Sequence, residues 1–270
     1  MHRSLLVMSF ALFVPDLLSA GTIDPNRPVA ESILPDILYF NFDEEDENFV
    51  TSHAEVGLSA KIDRGKVDQL PVWRSGRNQE FGQALEFNYG SEALFTEENL
   101  QLSGNHLRVE SEPHLGLTGQ SFTMGAWVQL PETADLPARP YKKIMSKGGH
   151  GESYPGWALQ LSYRDDRWIL TMIMVDDDLK QTRGDARLPG PGLEPGNWHH
   201  VAVSFHADTK QLRIWFDGAE IYTGEMQGAI GSSDLPLVVG ENGMSIYCNI
   251  PLVLDEVFIT SGVHDFVLAE

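Results

Sequence analysis

Three stretches of this sequence hold side chains whose types and spacing could do chemistry. In "GNWHHVAVSF" (196–205) an indole stands beside two imidazoles, groups whose ordinary proton affinity suits them to move protons or ligate a metal near neutral pH. In "VESEPH" (109–114) Glu110, Glu112 and His114 alternate. On an extended strand that alternation would put the side chains on one face, about 6.6–6.8 Å apart, as a line of carboxylates for glycoside hydrolysis requires. In "VDDDLK" (175–180) three consecutive aspartates offer oxygen ligands to a hard cation.

Each stretch meets a geometric objection. If Trp198 opens a strand, the period of two sends His200, Ala202 and Ser204 to one face and His199, Val201, Val203 and Phe205 to the other. The two imidazoles then cannot share one metal or one substrate atom, and they read as packed or capped histidines. Pro113 interrupts any ladder through "VESEPH", which reads as a solvated edge. The aspartate run lacks the glycine and alternating ligands of an EF-hand loop and reads as a solvated hairpin tip. There is no Gly-x-Ser-x-Gly elbow, His-Glu-x-x-His pair or Walker loop, so no catalytic residue is assigned.

Recognition without reaction needs other residues: aromatic faces to stack on sugar rings, with short polar groups for the hydroxyls. Two glycine-bearing loops have that composition. "SKGGHGESYPGW" (146–157) carries His150, Tyr154 and Trp157, and "ENGMSIYCN" (241–249) carries Asn242 and Tyr247. They are expected to form one ligand-binding rim, although Trp157 also opens an apolar run and is a core candidate as well.

The elements that must position these residues read as strands. "SFTMGAWVQL" (121–130) alternates, with Phe122, Met124, Ala126, Val128 and Leu130 on one face and Thr123, Trp127 and Gln129 on the other. "WALQLSY" and "RWILTMIMV" flank the polar turn "RDD", and "WHHVAVSF" and "LRIWFDG" flank "HADTKQ"; each pair makes a hairpin. "AEIYTG", "PLVVG" and "PLVLDEVFIT" extend the pattern, while no stretch after the start shows a sustained helical period. Many short strands with Gly and Pro between them indicate an all-β sandwich or barrel.

The 270 residues are 42% apolar and 10% aromatic, ample for a packed core. A basic start, the apolar run "LLVMSFALFV" and small residues ending at Ala20 predict a secretory signal peptide over 1–20. The Pro-rich, polar segment 21–36 reads as a linker and 37–270 as the folded domain. Export would leave a secreted, periplasmic or cell-surface protein without a transmembrane segment. The net charge of −20 repels phosphate backbones and argues against nucleic acid as a partner. A lone Cys248 cannot build the disulfide framework of many secreted domains, which suits a bacterial exported chain.

Taken in order, "YFNFDEEDENF", "FGQALEFNYG", "LGLTGQSFTMGAWVQL", "GNWHHVAVSF", "LRIWFDGAEI", "PLVVGEN" and "LDEVFITSGVHDFVLAE" resemble the laminin-G-like jelly-roll domains of the concanavalin A-like lectin/glucanase superfamily. The resemblance covers roughly residues 37–270. It implies a two-sheet antiparallel jelly-roll sandwich serving as a non-catalytic module that binds carbohydrate or a surface glycoprotein. A polysaccharide hydrolase or lyase on the same fold and a protein-binding adhesive domain are the alternatives. It also implies a structural Ca²⁺ anchored by Asp255 in "LDEVF", with oxygens from near Asn88 and Gly90 and from near Asp43. This chain has Phe-Asn-Tyr-Gly where the family often has Phe-Asp-Gly, one negative charge fewer, and Asp255 as a structural hydrogen-bond acceptor is the competing reading.

Overall fold

The alternating segments become pleated strands in a computed structural model that describes residues 22–24, 26–44, 46–65, 69–88, 104–132, 134, 136, 140–150, 153–241 and 250–266. The expected signal peptide lies outside these residues. In chain order the elements are β1 (Thr22–Ile23), α1 (Val29–Ser32), β2 (Leu38–Phe40), β3 (Phe49–Thr51), β4 (Ser59–Asp63), β5 (Val72–Ser75), β6 (Gln83–Phe87), β7 (His106–Val109) and β8 (Phe122–Gln129). There follow β9 (Tyr141–His150), β10 (Tyr154–Arg164), β11 (Arg167–Val175), β12 (Gln181–Arg187), β13 (Trp198–His206), β14 (Gln211–Phe216), β15 (Ala219–Glu225), β16 (Leu237–Val239), β17 (Leu252–Ser261) and β18 (Asp265–Phe266). No helix among the described residues is long and apolar enough to cross a membrane.

Two antiparallel sheets stack face to face. The first runs β12-β11-β10-β9-β16-β7-β4-β3, and the second β15-β14-β13-β8-β17-β6-β5, with β2 also paired to β17. This is the jelly-roll sandwich that the sequence implies. The inward side chains of β8 are the predicted ones: Phe122, Met124, Ala126, Val128 and Leu130 all lie in the core between the sheets. The "RDD" turn is tight because Asp165 and Asp166 both take left-handed conformations, φ 53° and 56°, the geometry that matches the twist of a two-residue hairpin. β3, β4, β5, β7, β12 and most of β9 were not anticipated. β12 and β9, "QTRGDAR" and "YKKIMSKGGH", carry too many charges or glycines to announce a strand, and β3, β4, β5 and β7 are only three to five residues long.

The segment read as a linker is instead docked on the domain. β1 pairs in parallel with β18, and Ile23 and Val29 are wholly buried against Tyr39, Ala202, Trp215, Phe258 and Phe266. This second apolar cluster lies on the outward face of the second sheet. Burying an Ile or Val side chain stabilises by about 1.5–3 kcal/mol, so two such anchors hold a short strap despite its prolines. Asp36 fixes the strap's far end by accepting from Ser261 N–H at 2.7 Å and Thr260 Oγ1 at 2.9 Å. Partial burial pushes the Asp36 carboxyl up, but the bonds from Ser261 and Thr260 prevail and hold it below its ordinary value.

Candidate functional site

The two histidines of "WHHV" occupy opposite faces of β13, as alternation requires. His199 stacks on Phe216, with centroids 4.9 Å apart, and its Nδ1 lies 2.9 Å from Asp217 Oδ2. The other oxygen of Asp217 accepts the His200 backbone N–H at 2.8 Å. His200 is sealed on the outward face between Trp127 and Phe266, at centroid distances of 5.5 and 5.0 Å. Burial lowers its pKa to about 4, so the ring is neutral at neutral pH.

The other candidate chemistry does not assemble. β7 ends at Val109, Glu110 turns aside to Arg108 at 3.1 Å, and Pro113 opens a 3-10 turn, so Glu110, Glu112 and His114 form no line along a strand. Asp176 and Asp177 build turns. Asp176 Oδ1 accepts the N–H groups of Asp178 and Lys180 at 3.0 and 2.8 Å, and Asp177 Oδ1 that of Ser232 at 2.7 Å.

The described residues hold only part of the expected binding rim. Trp157 is core: it is 0% exposed, and its Nε1 donates to the Leu115 carbonyl at 2.9 Å. His150 and Tyr154 are register partners at the turn end of the β9–β10 hairpin, although the side chain of His150 lies outside the described residues. Tyr154 is half-buried. The second loop leaves from elsewhere. Because β16 runs antiparallel to β9, its continuation brings Glu241 beside Lys142, at 3.9 Å in a buried ion pair. Lys142 and His150 sit at opposite ends of β9, about 26 Å apart at a strand's rise. Asn242 and Tyr247 themselves lie outside the described residues, as does Gly90.

The implied calcium ligands converge only in part. The register pairs Leu254 with Leu85, so Asp255 is level with Ala84 while Asn88 is four residues further along, about 13 Å away. Asn88 is therefore not in the same site, and its N–H donates instead to Asn105 Oδ1 at 2.7 Å. Asp43 does approach Asp255. It accepts the Gln83 N–H at 3.2 Å, and its charge adds to burial and to Glu256 in raising the Asp255 carboxyl well above its ordinary value. Among the described residues no three His, Cys, Asp or Glu side chains gather as a metal would need.

What the structure does assemble is a buried polar row on the outward face of the second sheet. β17 pairs with β6 up to Leu254 and with β2 from Val257, and a bulge fills the seam. Between Asp255, opposite Trp127, and Phe258, opposite Gly125, the chain carries one residue too many, and Glu256 absorbs it at φ 49°. Two consecutive carboxylates thus turn outward beneath the strap. Glu256 accepts the Val29 N–H at 2.5 Å and the Tyr39 hydroxyl at 2.8 and 2.9 Å. Burial is the largest cause of its pKa rising to about 7, the bonds from Val29 and Tyr39 working the other way and Asp43 and Glu31 adding repulsion.

Across the sheet, Asp255 faces Trp127 and Trp127 faces His200. In this row Asp255 Oδ2, Trp127 Nε1 and both ring nitrogens of His200 are buried without a hydrogen-bond partner among the described residues. Above it lies Arg77, its guanidinium carbon 4.1 Å from the Trp127 ring centroid. Sequence reasoning missed this row, yet a signal was present. Two adjacent carboxylates inside the apolar run "PLVLDEVFIT" cannot both be kept off the inner face of a regular strand, so a bulge was required.

Two antiparallel sheets stacked as a jelly roll are the architecture of the concanavalin A-like class of sandwich. The chain belongs to the concanavalin A-like lectin/glucanases superfamily, through a Laminin_G_3 family match over residues 103–262, more than half of its length. No curated protein matches the sequence. Among solved structures, the binding domain of Paraclostridial Mosquitocidal Protein 1 is similar with a TM-score of 0.59 and 13% identity, over 85% of this chain and 49% of that one. The botulinum neurotoxin serotype G binding domain gives 0.56 and 11%, over 84% and 48%. A structure of botulinum neurotoxin type C, whose cell entry depends on interaction with two ganglioside molecules, gives 0.52 and 13%, over 84% and 47%. The chain thus spans about half the length of the solved domains it matches, and the likeness is one of fold.

Proposed function

We propose that this chain is an exported binding module that takes carbohydrate, on a cell surface or a surface glycoprotein, and does not transform it. The observation that carries the reading is its laminin-G-type jelly roll, shared over 84–85% of the chain with toxin structures, among them that of botulinum neurotoxin type C, whose cell entry depends on interaction with two ganglioside molecules. Gangliosides present sugars, and a rigid sandwich that displays side chains on sheet faces and hairpin ends suits such ligands.

Calcium belongs to this reading as a structural ion. The Asp255 Oδ2, without a partner among the described residues, the nearby Asp43 carboxylate and the Phe81 carbonyl, close to the same Gly76 as Asp255, are hard oxygen donors of the type that Ca²⁺ takes. Asn88 has no part in such a site. A bound cation would supply the charge that lets the buried Asp255 ionise.

A glycan array probed with the chain from residue 21 onward, in EDTA and in millimolar Ca²⁺, tests the function. Retention on a defined subset of glycans is expected. No retention in either condition would sink the reading, and release of new reducing ends from a polysaccharide would move the assignment to a hydrolase or lyase.

A further inference from the structure

The seven residues from Gly76 to Gly82 form a loop shaped to lie on Trp127. Its neck is closed by the Gly76 N–H donating to the Gly82 carbonyl at 2.9 Å, and inside it Asn78 Oδ1 accepts the Glu80 N–H at 2.8 Å. Glycine is needed at both ends. A Cβ on Gly76 would stand 2.5 Å from the Phe81 carbonyl oxygen, and one on Gly82, at φ 53°, would collide with the Asp43 carboxylate. The loop delivers two side chains: Arg77 over the face of Trp127, and Phe81 edge-on to the same indole, with centroids 6.0 Å apart.

Beneath the loop, the Trp127 Nε1–H and both nitrogens of His200 are buried, 4% and 0% exposed by residue, without a partner among the described residues. An unpaired buried polar group costs about 1–3 kcal/mol, and native proteins retain few of them. Two adjacent residues that bear three such atoms therefore point to something polar that they receive. The inventory is one indole donor and one neutral imidazole with a donor and an acceptor.

Charge selects among ligands. A cation would meet an N–H donor and a guanidinium, and an anion would approach a chain of net charge −20 through Asp24, Asp217 and Glu80, which surround Arg77. A neutral hydroxyl both donates and accepts and suits all three atoms. The indole face suits the C–H face of a sugar ring, and Arg77 now occupies that face. Its charge is not stranded if it leaves: those three carboxylates attract it, and Asn26 Oδ1 already accepts from Nη2 at 3.0 Å.

We propose that Trp127 and His200 form a subsite for a neutral pyranose, with the Gly76–Gly82 loop as its lid and the Arg77 guanidinium as a placeholder on the indole. The subsite deepens the carbohydrate reading above and rests on it. The test uses the chain from residue 21 on an array of neutral mono- and oligosaccharides beside a set of sialylated and sulfated ones, with folding checked by circular dichroism. Arg77→Ala should raise retention on neutral glycans by about tenfold, the scale of one displaced contact. In that background Trp127→Phe, which keeps a ring but loses the N–H, and His200→Leu should each reverse the gain. Arg77→Ala alone decides if the other two fail to fold: no gain, as sealed waters beneath the loop would produce, overturns the subsite. A gain confined to anionic glycans overturns the neutral ligand. Wild-type binding that none of the variants changes places the sugar elsewhere and leaves the carbohydrate reading standing, whereas no retention by any of the proteins removes both.

Discussion

The two faces of the second sheet solve burial in different ways. Inward, Val128, Val201 and Leu254 meet the apolar face of the first sheet, with His199 Nδ1 bonded to Asp217 at the start of β13 and the Trp157 indole donating to the Leu115 carbonyl. Outward, Trp127, His200, Asp255 and Glu256 are just as deeply buried, covered not by a sheet but by the strap and the loop from Gly76 to Gly82. Around Leu254 the inner face therefore owes its stability to volume and shape, which pH leaves unchanged. The outer face holds protons and unpaired donors under a cover that only a few contacts keep in place, and that is where ligands and solution conditions can act.

The comparison is put under most strain by a cavity in the inner face. Leu254→Ala should cost about 2–5 kcal/mol in denaturant unfolding, and by the same amount at pH 5 and at pH 8. A strong pH dependence of that loss would mean that the faces are not independent.

On the outer face the largest effect is the titration of Glu256, which is faced by Asp255 on its own strand, Asp43 beyond β2, Glu31 on the strap and the Tyr39 hydroxyl. Its folded value of about 7 lies above its ordinary 4.5. Below pH 4.5 the carboxyl is protonated whether folded or not, so its contribution is fully present. Between 4.5 and 7 only the unfolded chain loses the proton, and stability falls. Above 7 the loss is complete, on the order of 3 kcal/mol if this group acts alone. Unfolding free energy measured across pH 4–8 should show the decline, and Glu256→Gln should flatten it. An unchanged slope in that variant would assign the dependence to other groups.

The smallest effect expected is that of calcium. An ion held by Asp255 and Asp43 in the folded state raises stability by about 2.7 kcal/mol when its free concentration is a hundredfold above its dissociation constant, and by less at lower excess. Melting in millimolar Ca²⁺ should occur at a higher temperature than in EDTA, Asp255→Ala should abolish the difference, and Asp177→Ala should preserve it. Identical melts of the unaltered protein would leave Asp255 as a buried acid beside Glu256, without an ion.

Much of this molecule was legible in advance. Alternation placed the faces of β8 and β13 correctly because a strand's period of two admits one solution once its apolar side must be buried. The candidate site was far less legible. Trp157 carries the same signal whether it packs inside or stacks on a sugar, and only the Leu115 carbonyl beneath its indole decides. The two glycine-bearing loops have similar compositions, but composition carries no direction, and the antiparallel run of β16 sets Glu241, the first residue of the second loop, at the Lys142 end of β9.

By itself the sequence determined many of the sheet-forming segments, the inward sides of β8 and β13 and an all-β sandwich or barrel, because those follow from local periodicity and from apolar area that has to leave water, while the jelly-roll class rested on the resemblance of its motifs. It held Asp255 and Glu256 side by side, but not the seam between β6 and β2 where one extra residue turns both outward. Nor did it reveal that Ile23 and Val29 fold back over that seam or that Arg77 settles on Trp127. Those contacts join residues far apart along the chain, and only the tertiary structure could decide them, because their energy exists only once both sheets are in place.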